Sequence, residues 1–167
     1  MWIEKKSKIH GSGIFAKINI KKNIKIIEYI GEKVTKAEGN RRSEKRIKKY
    51  LNSSKTGSVY IFELNTKYDI DGSFNYNKAR FINHSCSPNC EVQIIRGHIW
   101  IVSIKNIKKG DELSYDYGYE FDKDDFMDHI CRCGSKNCLG YIISSDEWNK
   151  YKKYLKTKKF RLANSKK

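Results

Sequence analysis

Three thiols fall within eight residues in the stretch Cys131-Arg-Cys133-Gly-Ser-Lys-Asn-Cys138. Thiolates this close together suit a structural zinc ion, which takes four tetrahedral nitrogen or sulfur ligands. Gly134 permits the tight turn that such a ligand set needs. One ligand must then come from elsewhere, and Cys86, Cys90, His129 or another distant histidine are the candidates. The plainer alternative, buried or redox-active cysteines, fits poorly with so polar a segment.

Further chemistry is spread over three strings. Arg80-Phe-Ile-Asn83-His84-Ser-Cys86-Ser-Pro88-Asn89 brings together an amide, an imidazole and a thiol, although Asn83 and His84 alone read as a structural pair. Gly110-Asp-Glu-Leu-Ser-Tyr115-Asp-Tyr117-Gly118 adds two tyrosines two residues apart. On a strand these face the same side. His10-Gly11-Ser12-Gly13-Ile-Phe15 adds a glycine turn where backbone can approach a ligand closely. No Gly-x-Gly-x-x-Gly follows a strand, which argues against a dinucleotide site of the Rossmann type.

The elements that must position these groups read mostly as short strands. Ile24 to Ile30 is apolar and β-branched, and Val59 to Leu64 alternates aromatic and aliphatic residues. Tyr68 to Gly72 ends in a turn. Glu91 to Ile95 and His98 to Ile104 flank Arg96-Gly97 and predict a hairpin. Thr35 with Glu38 forms a capping-box pattern before a charged helix reaching Leu51, with Gly39 and Asn40 against it. Ser144 with Glu147 opens a second helix running toward Leu155. The expected fold class is therefore mainly β with a few helices.

The 167 residues are enough for one domain with a real core, and 38% hydrophobic content argues against disorder. No run approaches the ~18 apolar residues of a membrane span, and Met1 to Lys6 lacks a signal-like apolar stretch. The expected setting is a reducing, intracellular compartment, where cysteines serve metals before disulfides. Net charge is +16, unevenly distributed. Asp111 to Asp128 holds eight carboxylates and one lysine, whereas Asn149 to Lys167 holds nine basic residues and no acid. Such a balance is permissive for nucleic-acid contact, although a lysine-rich end also reads as a solvated, frayed tail.

Taken together, these strings resemble the SET-domain protein lysine methyltransferases, including their cysteine-rich post-SET segment. The resemblance runs from about Ile3 to Ile142. It implies small curved β-sheets with a knot-like C-terminal threading, in which the Gly110–Gly118 segment passes under the Asn83–Cys86 loop. It divides the chain into a SET domain (1–120), a post-SET zinc segment (121–142) and a basic C-terminal helix or tail (143–167). It also implies S-adenosylmethionine and Zn²⁺ as cofactors. His10, Gly11, Ser12, Gly13, Tyr60, Arg80, Asn83, His84 and Arg132 would contact the first of these, with Leu139 near the adenine. Cys86 would join Cys131, Cys133 and Cys138 around zinc, leaving Cys90 as a small buried residue. Tyr29, Tyr115 and Tyr117 would line the lysine channel and form the catalytic group.

The activity implied is methyl transfer to a protein lysine, mainly giving the monomethyl form because Tyr115 precedes Tyr117 by two. A histone tail is the expected substrate, attracted by the acidic segment, with DNA or nucleosome contact through the basic surfaces. That places the protein in the nucleus or on chromatin, of a host cell in the case of a viral or intracellular source. Two other readings stand beside it: methylation of a non-histone basic protein, and a non-catalytic zinc-stapled DNA-binding module. No pre-SET cysteine cluster is present, and the Thr35–Ser58 segment carries no match that identifies a substrate.

Overall fold

The computed structural model describes residues 1–51 and 59–164. Ten short strands and two α-helices make up its regular structure among those residues. In chain order they are β1 (Trp2–Lys6), β2 (Ser12–Ala16), β3 (Lys25–Tyr29), β4 (Glu32–Thr35) and α1 (Lys36–Leu51). There follow β5 (Ile61–Glu63), β6 (Tyr68–Asp71), β7 (Asn83–His84), β8 (Cys90–Ile95), β9 (His98–Ser103), β10 (Ser114–Tyr115) and α2 (Trp148–Asn164). They form four small sheets: β1-β2, β3-β9-β8, β4-β6-β5 and the pair β7-β10. The mainly β class expected from the sequence is what the chain adopts.

The β8-β9 hairpin pairs Ile95 with His98 across Arg96-Gly97, both at positive φ (52° and 79°). That is the geometry whose twist matches a hairpin, and the glycine supplies it without strain. β-branched residues carry the hairpin and its neighbour: Ile26, Ile99, Ile101 and Val102 are buried. The principal core gathers Ile26, Ile99 and Ile101 with Ile14, Ile82, Ile107 and Leu113. β7 and β10 are only two residues long but pair in parallel, Asn83 opposite Ser114 and His84 opposite Tyr115. This pairing sets the imidazole beside the tyrosines although about thirty residues separate them in the chain.

α1 starts where the capping pattern placed it: the Glu38 N–H donates to Thr35 Oγ1 at 3.3 Å. Gly39 belongs there because a side chain would collide with the Asp69 carboxylate. The second helix differs from expectation in length. A 3-10 turn at Ser145–Glu147 precedes it, and it extends past Leu155 to Asn164. Ser144 contributes its carbonyl to that turn, accepting the Glu147 N–H at 2.9 Å, and not its side chain. The packing explains the helix. Tyr151 is buried in a second apolar cluster with Phe121, Phe126 and Ile143, flanked by Trp148, Tyr154 and Leu155. A cluster of edge-to-face rings of this kind stabilises beyond its buried area. Among the described residues no helix is long and apolar enough to cross a membrane.

Candidate active site and cysteine cage

A cleft of about 430 Å³ lies where the glycine turn, β7, β10 and the 128–132 segment converge. This is the size range of small-molecule and cofactor sites. His10, Gly11, Ser12, Tyr29, Tyr60, Arg80, Asn83, His84, Tyr115, Tyr117 and Arg132 all line it. Gly13 does not: it sits against the Glu112 carboxylate, where any side chain would collide. Leu139 does not either, being packed against the second apolar cluster.

Asn83 holds the glycine turn in place. Its Nδ2 donates toward the carbonyls of His10 and Ser12, at 3.2 and 3.1 Å, and to Glu112 Oε1 at 2.9 Å. The same oxygen accepts the Ser7 hydroxyl at 2.7 Å. Gly11 takes the left-handed backbone, with φ of 50°, that lets the turn fold back. Arg80 is anchored by the Ser73 carbonyl and by Asn75 Oδ1, and packs over the Tyr60 and Phe81 rings. Its Nε is buried without a partner among the described residues.

Aromatic rings form the rest of the lining. Tyr115 lies 5.0 Å from Tyr117 and 6.2 Å from Phe62, ring centre to ring centre. The Tyr29 hydroxyl donates to the Tyr60 carbonyl at 3.0 Å, and the Tyr117 hydroxyl to the Ile82 carbonyl at 3.0 Å. Burial pushes the pKa values of Tyr29, Tyr115 and Tyr117 well above the usual phenol value, so all three remain neutral. This side of the cleft thus has apolar walls with hydroxyl donors and backbone carbonyls, and its neutral tyrosines are not bases.

Sequence reasoning missed several of the walls. Tyr119 continues the two-residue spacing of Tyr115 and Tyr117 and packs 5.9 Å from Tyr117, a signal that was available. Phe62, Ile9, His129 and Ile130 also line the cleft. His129, a candidate zinc ligand by type, instead sets its ring against Tyr119 at 5.1 Å.

Cys86, Cys131, Cys133 and Cys138 place their four sulfurs within 4.8 Å of one another. Cys86 Sγ stands 3.8 Å from Cys131 Sγ and 4.0 Å from Cys138 Sγ. A tetrahedron with metal–sulfur bonds of ~2.3 Å has edges of about 3.8 Å, so the donor set fits zinc in number, type and spacing. Cys90 is elsewhere, fully buried in β8 opposite Ser103, and burial pushes its thiol up to about 12. It is an inert packing residue.

Residues 11–118 match the family model described as the SET domain. The chain is 40% identical over 143 residues to a "Histone-lysine N-methyltransferase, H3 lysine-4 specific" of Emericella nidulans. It is 38% identical over 141 residues to the Saccharomyces cerevisiae protein of that name. Over 141 residues it is 35% identical to "Histone-lysine N-methyltransferase 2D" of Homo sapiens. Each alignment takes in 82% of this chain but only 11%, 13% and 2% of those much longer relatives. With four small sheets around such a cleft, the chain belongs to the SET-domain family.

Proposed function

We propose that the chain is an S-adenosylmethionine-dependent protein-lysine N-methyltransferase acting on a histone tail and giving mainly monomethyl-lysine. The observation that carries this reading is the one cleft in which the Asn83-pinned glycine turn meets the packed, mutually tilted Tyr115 and Tyr117 rings. His10, Gly11, Ser12, Tyr60, Arg80, Asn83, His84 and Arg132 would hold S-adenosylmethionine, with Gly13 supporting the turn from behind. The cofactor, when bound, supplies a methyl group activated on a sulfonium. Residues 1–120 would form the catalytic body, 121–142 the zinc-bound wall of the cleft and 143–167 a basic C-terminal helix or tail, of which 165–167 lie outside the described residues.

The chain's own task is alignment and desolvation. A lysine amine has a pKa of about 10.4 in water, and an apolar ring-lined channel disfavours its charged form. Tyr29, Tyr115 and Tyr117 would form that channel. The Ile82 carbonyl and the Tyr117 hydroxyl would orient the amine and the transferring methyl as charge moves. No carboxylate is needed as a strong base. Glu112 is occupied by Ser7 and Asn83, and Asp116 by the Ser145 and Gly118 N–H groups.

Cys86, Cys131, Cys133 and Cys138 would hold one zinc, which braces Arg132 in the cleft wall. The acidic 111–128 segment beside the channel suits a basic tail, and the basic surfaces suit nucleosomal DNA, a pairing that points to chromatin in the nucleus. The relatives' names support histone as the acceptor. Incubation with labelled cofactor and mass spectrometry of nucleosomes, free histones and an unrelated basic protein tests this. Label on one or a few histone lysines is the expected result. Label on the unrelated protein alone would move the substrate elsewhere, and none on any acceptor would overturn the activity.

A further inference from the structure

A second cleft, of about 400 Å³, shares no lining residue with the first. One side is the basic row of α1, Arg41, Arg42, Lys45, Arg46 and Lys49, and Asp71 and Phe74 stand across from it. The arginines are already committed. Arg42 and Arg46 share Asp71 Oδ2 at 2.9 and 2.8 Å, Arg42 also takes Glu32 and Glu38, and Arg41 takes Glu38. Lys45 and Lys49 have no carboxylate within ion-pair distance among the described residues, and both are exposed. Three carboxylates therefore fix three guanidinium groups, and the lysines remain as surplus positive charge beside a rigid frame.

Phe74, which lines this cleft, stacks on Tyr76 with ring centres 5.3 Å apart and planes only 10° from parallel. Tyr76 is 59% exposed, so a large flat ring faces solvent where core packing does not hold it. Cations that track phosphates, combined with exposed rings on which bases stack, are the two features that bind single-stranded nucleic acid. An acidic peptide accounts for the lysines but leaves the stacked rings without use. A duplex has phosphates, but its bases are already stacked on one another.

We propose that the α1 cleft and the Phe74–Tyr76 stack bind a single strand of nucleic acid, its phosphates on Lys45 and Lys49 and a base on Tyr76. The site is independent of the methyl-transfer reading, and its test needs neither cofactor nor methyl acceptor. Fluorescence anisotropy would follow the full chain with labelled oligo(dT) and oligo(U) of about 15 nucleotides, with a duplex of equal length and with a poly-glutamate peptide. Both single strands should bind more tightly than the duplex, and poly-glutamate more weakly than either. Tyr76→Ala should weaken single-strand binding about fivefold or more, the smaller end of one lost stacked base, and leave the duplex unaffected. Lys45→Glu with Lys49→Glu should weaken it at least tenfold and flatten its dependence on salt. Lys153→Glu with Lys156→Glu on α2 serves as the comparison and should have the smaller effect. All these positions are exposed, and circular dichroism would verify that each variant keeps its fold. Unchanged single-strand binding by Tyr76→Ala, preference for duplex or poly-glutamate, or loss carried by the α2 pair would each overturn the proposal.

Discussion

His84 Nδ1 accepts the backbone N–H of Tyr117 at 3.2 Å, while its Nε2 lies 3.6 Å from Cys86 Sγ. With Nδ1 as acceptor, the ring proton sits on Nε2, directed at the sulfur. Burial pushes the imidazole below its usual pKa, against the opposing pull of Asp116, so the ring is neutral. One histidine thus joins the tyrosine strand to the cysteine cage, and Asn83 next to it pins the glycine turn. Loss of the cage should be felt in the cleft.

Zinc content and cofactor binding should accordingly fall together. Elemental analysis should give about one zinc per chain, since four thiolates complete a closed tetrahedral site. Cys86→Ser should lower that number, and Cys90→Ser should not, because Cys90 lies outside the cage. Chelation should weaken S-adenosylmethionine binding, measured by calorimetry, because Arg132 stands between two of the sulfurs. Full zinc in Cys86→Ser would remove it as a ligand.

Tyr117→Phe should separate chemistry from binding. The ring, its packing on Tyr115 and Tyr119 and the backbone link to His84 all survive; only the hydroxyl on the Ile82 carbonyl is lost. Turnover should drop by about a hundredfold or more, as for loss of one oriented donor, with cofactor affinity nearly unchanged. A variant as active as the parent would exclude the hydroxyl from the reaction.

How far the sequence carried this picture depends on the range of the interaction. The hairpin at Arg96-Gly97 and the Thr35 cap were legible because both are set within a few residues. The cysteine cluster was legible to three thiols and a short set of candidates for the fourth, and only a resemblance chose Cys86 among them, forty-five residues before Cys131. The strands β1 and β4 were missed because each draws its order from a partner across the sheet, not from its own alternation. Likewise α2 showed its apolar face in the spacing of Trp148, Tyr151, Tyr154 and Leu155, but not the partners that face packs on, Phe121 and Phe126, more than twenty residues earlier.

The joint between α1 and its sheet should be sensitive to acid. Asp71 is 1% exposed. Burial alone would raise its carboxyl pKa, but hydrogen bonds from Arg46 and Arg42 outweigh that and hold it at about 2. The folded value lies below the ordinary Asp value of about 3.9, so its stabilisation is fully present above ~pH 4 and is lost as pH falls toward 2. Asp71→Asn, which takes from Arg46 its one carboxylate among the described residues and from Arg42 one of three, should cost about 3 kcal/mol at neutral pH. Urea denaturation of parent and variant should show that gap narrowing between ~pH 4 and ~pH 2.5. A gap that stays constant with pH would assign the loss to packing instead.

The number of methyl groups added should turn on Tyr115. Its ring is 8% exposed and wedged between Phe62 and Tyr117. Unlike those of Tyr29 and Tyr117, its hydroxyl makes no hydrogen bond to another described residue, although the residue lines the cleft. An unbonded, neutral phenol in an apolar channel is free to hold the incoming amine, directly or through a water. That contact would orient the first transfer, and the volume it fills would oppose the turn a methylated amine must make for a second. Tyr115→Phe removes the hydroxyl, leaves the space dry and keeps the ring contacts. Mass spectra should therefore shift from mainly monomethyl-lysine in the parent to di- and trimethyl-lysine in the variant, with the first transfer still measurable. Abundant trimethyl-lysine from the parent at long incubation would mean that Tyr115 does not limit the product.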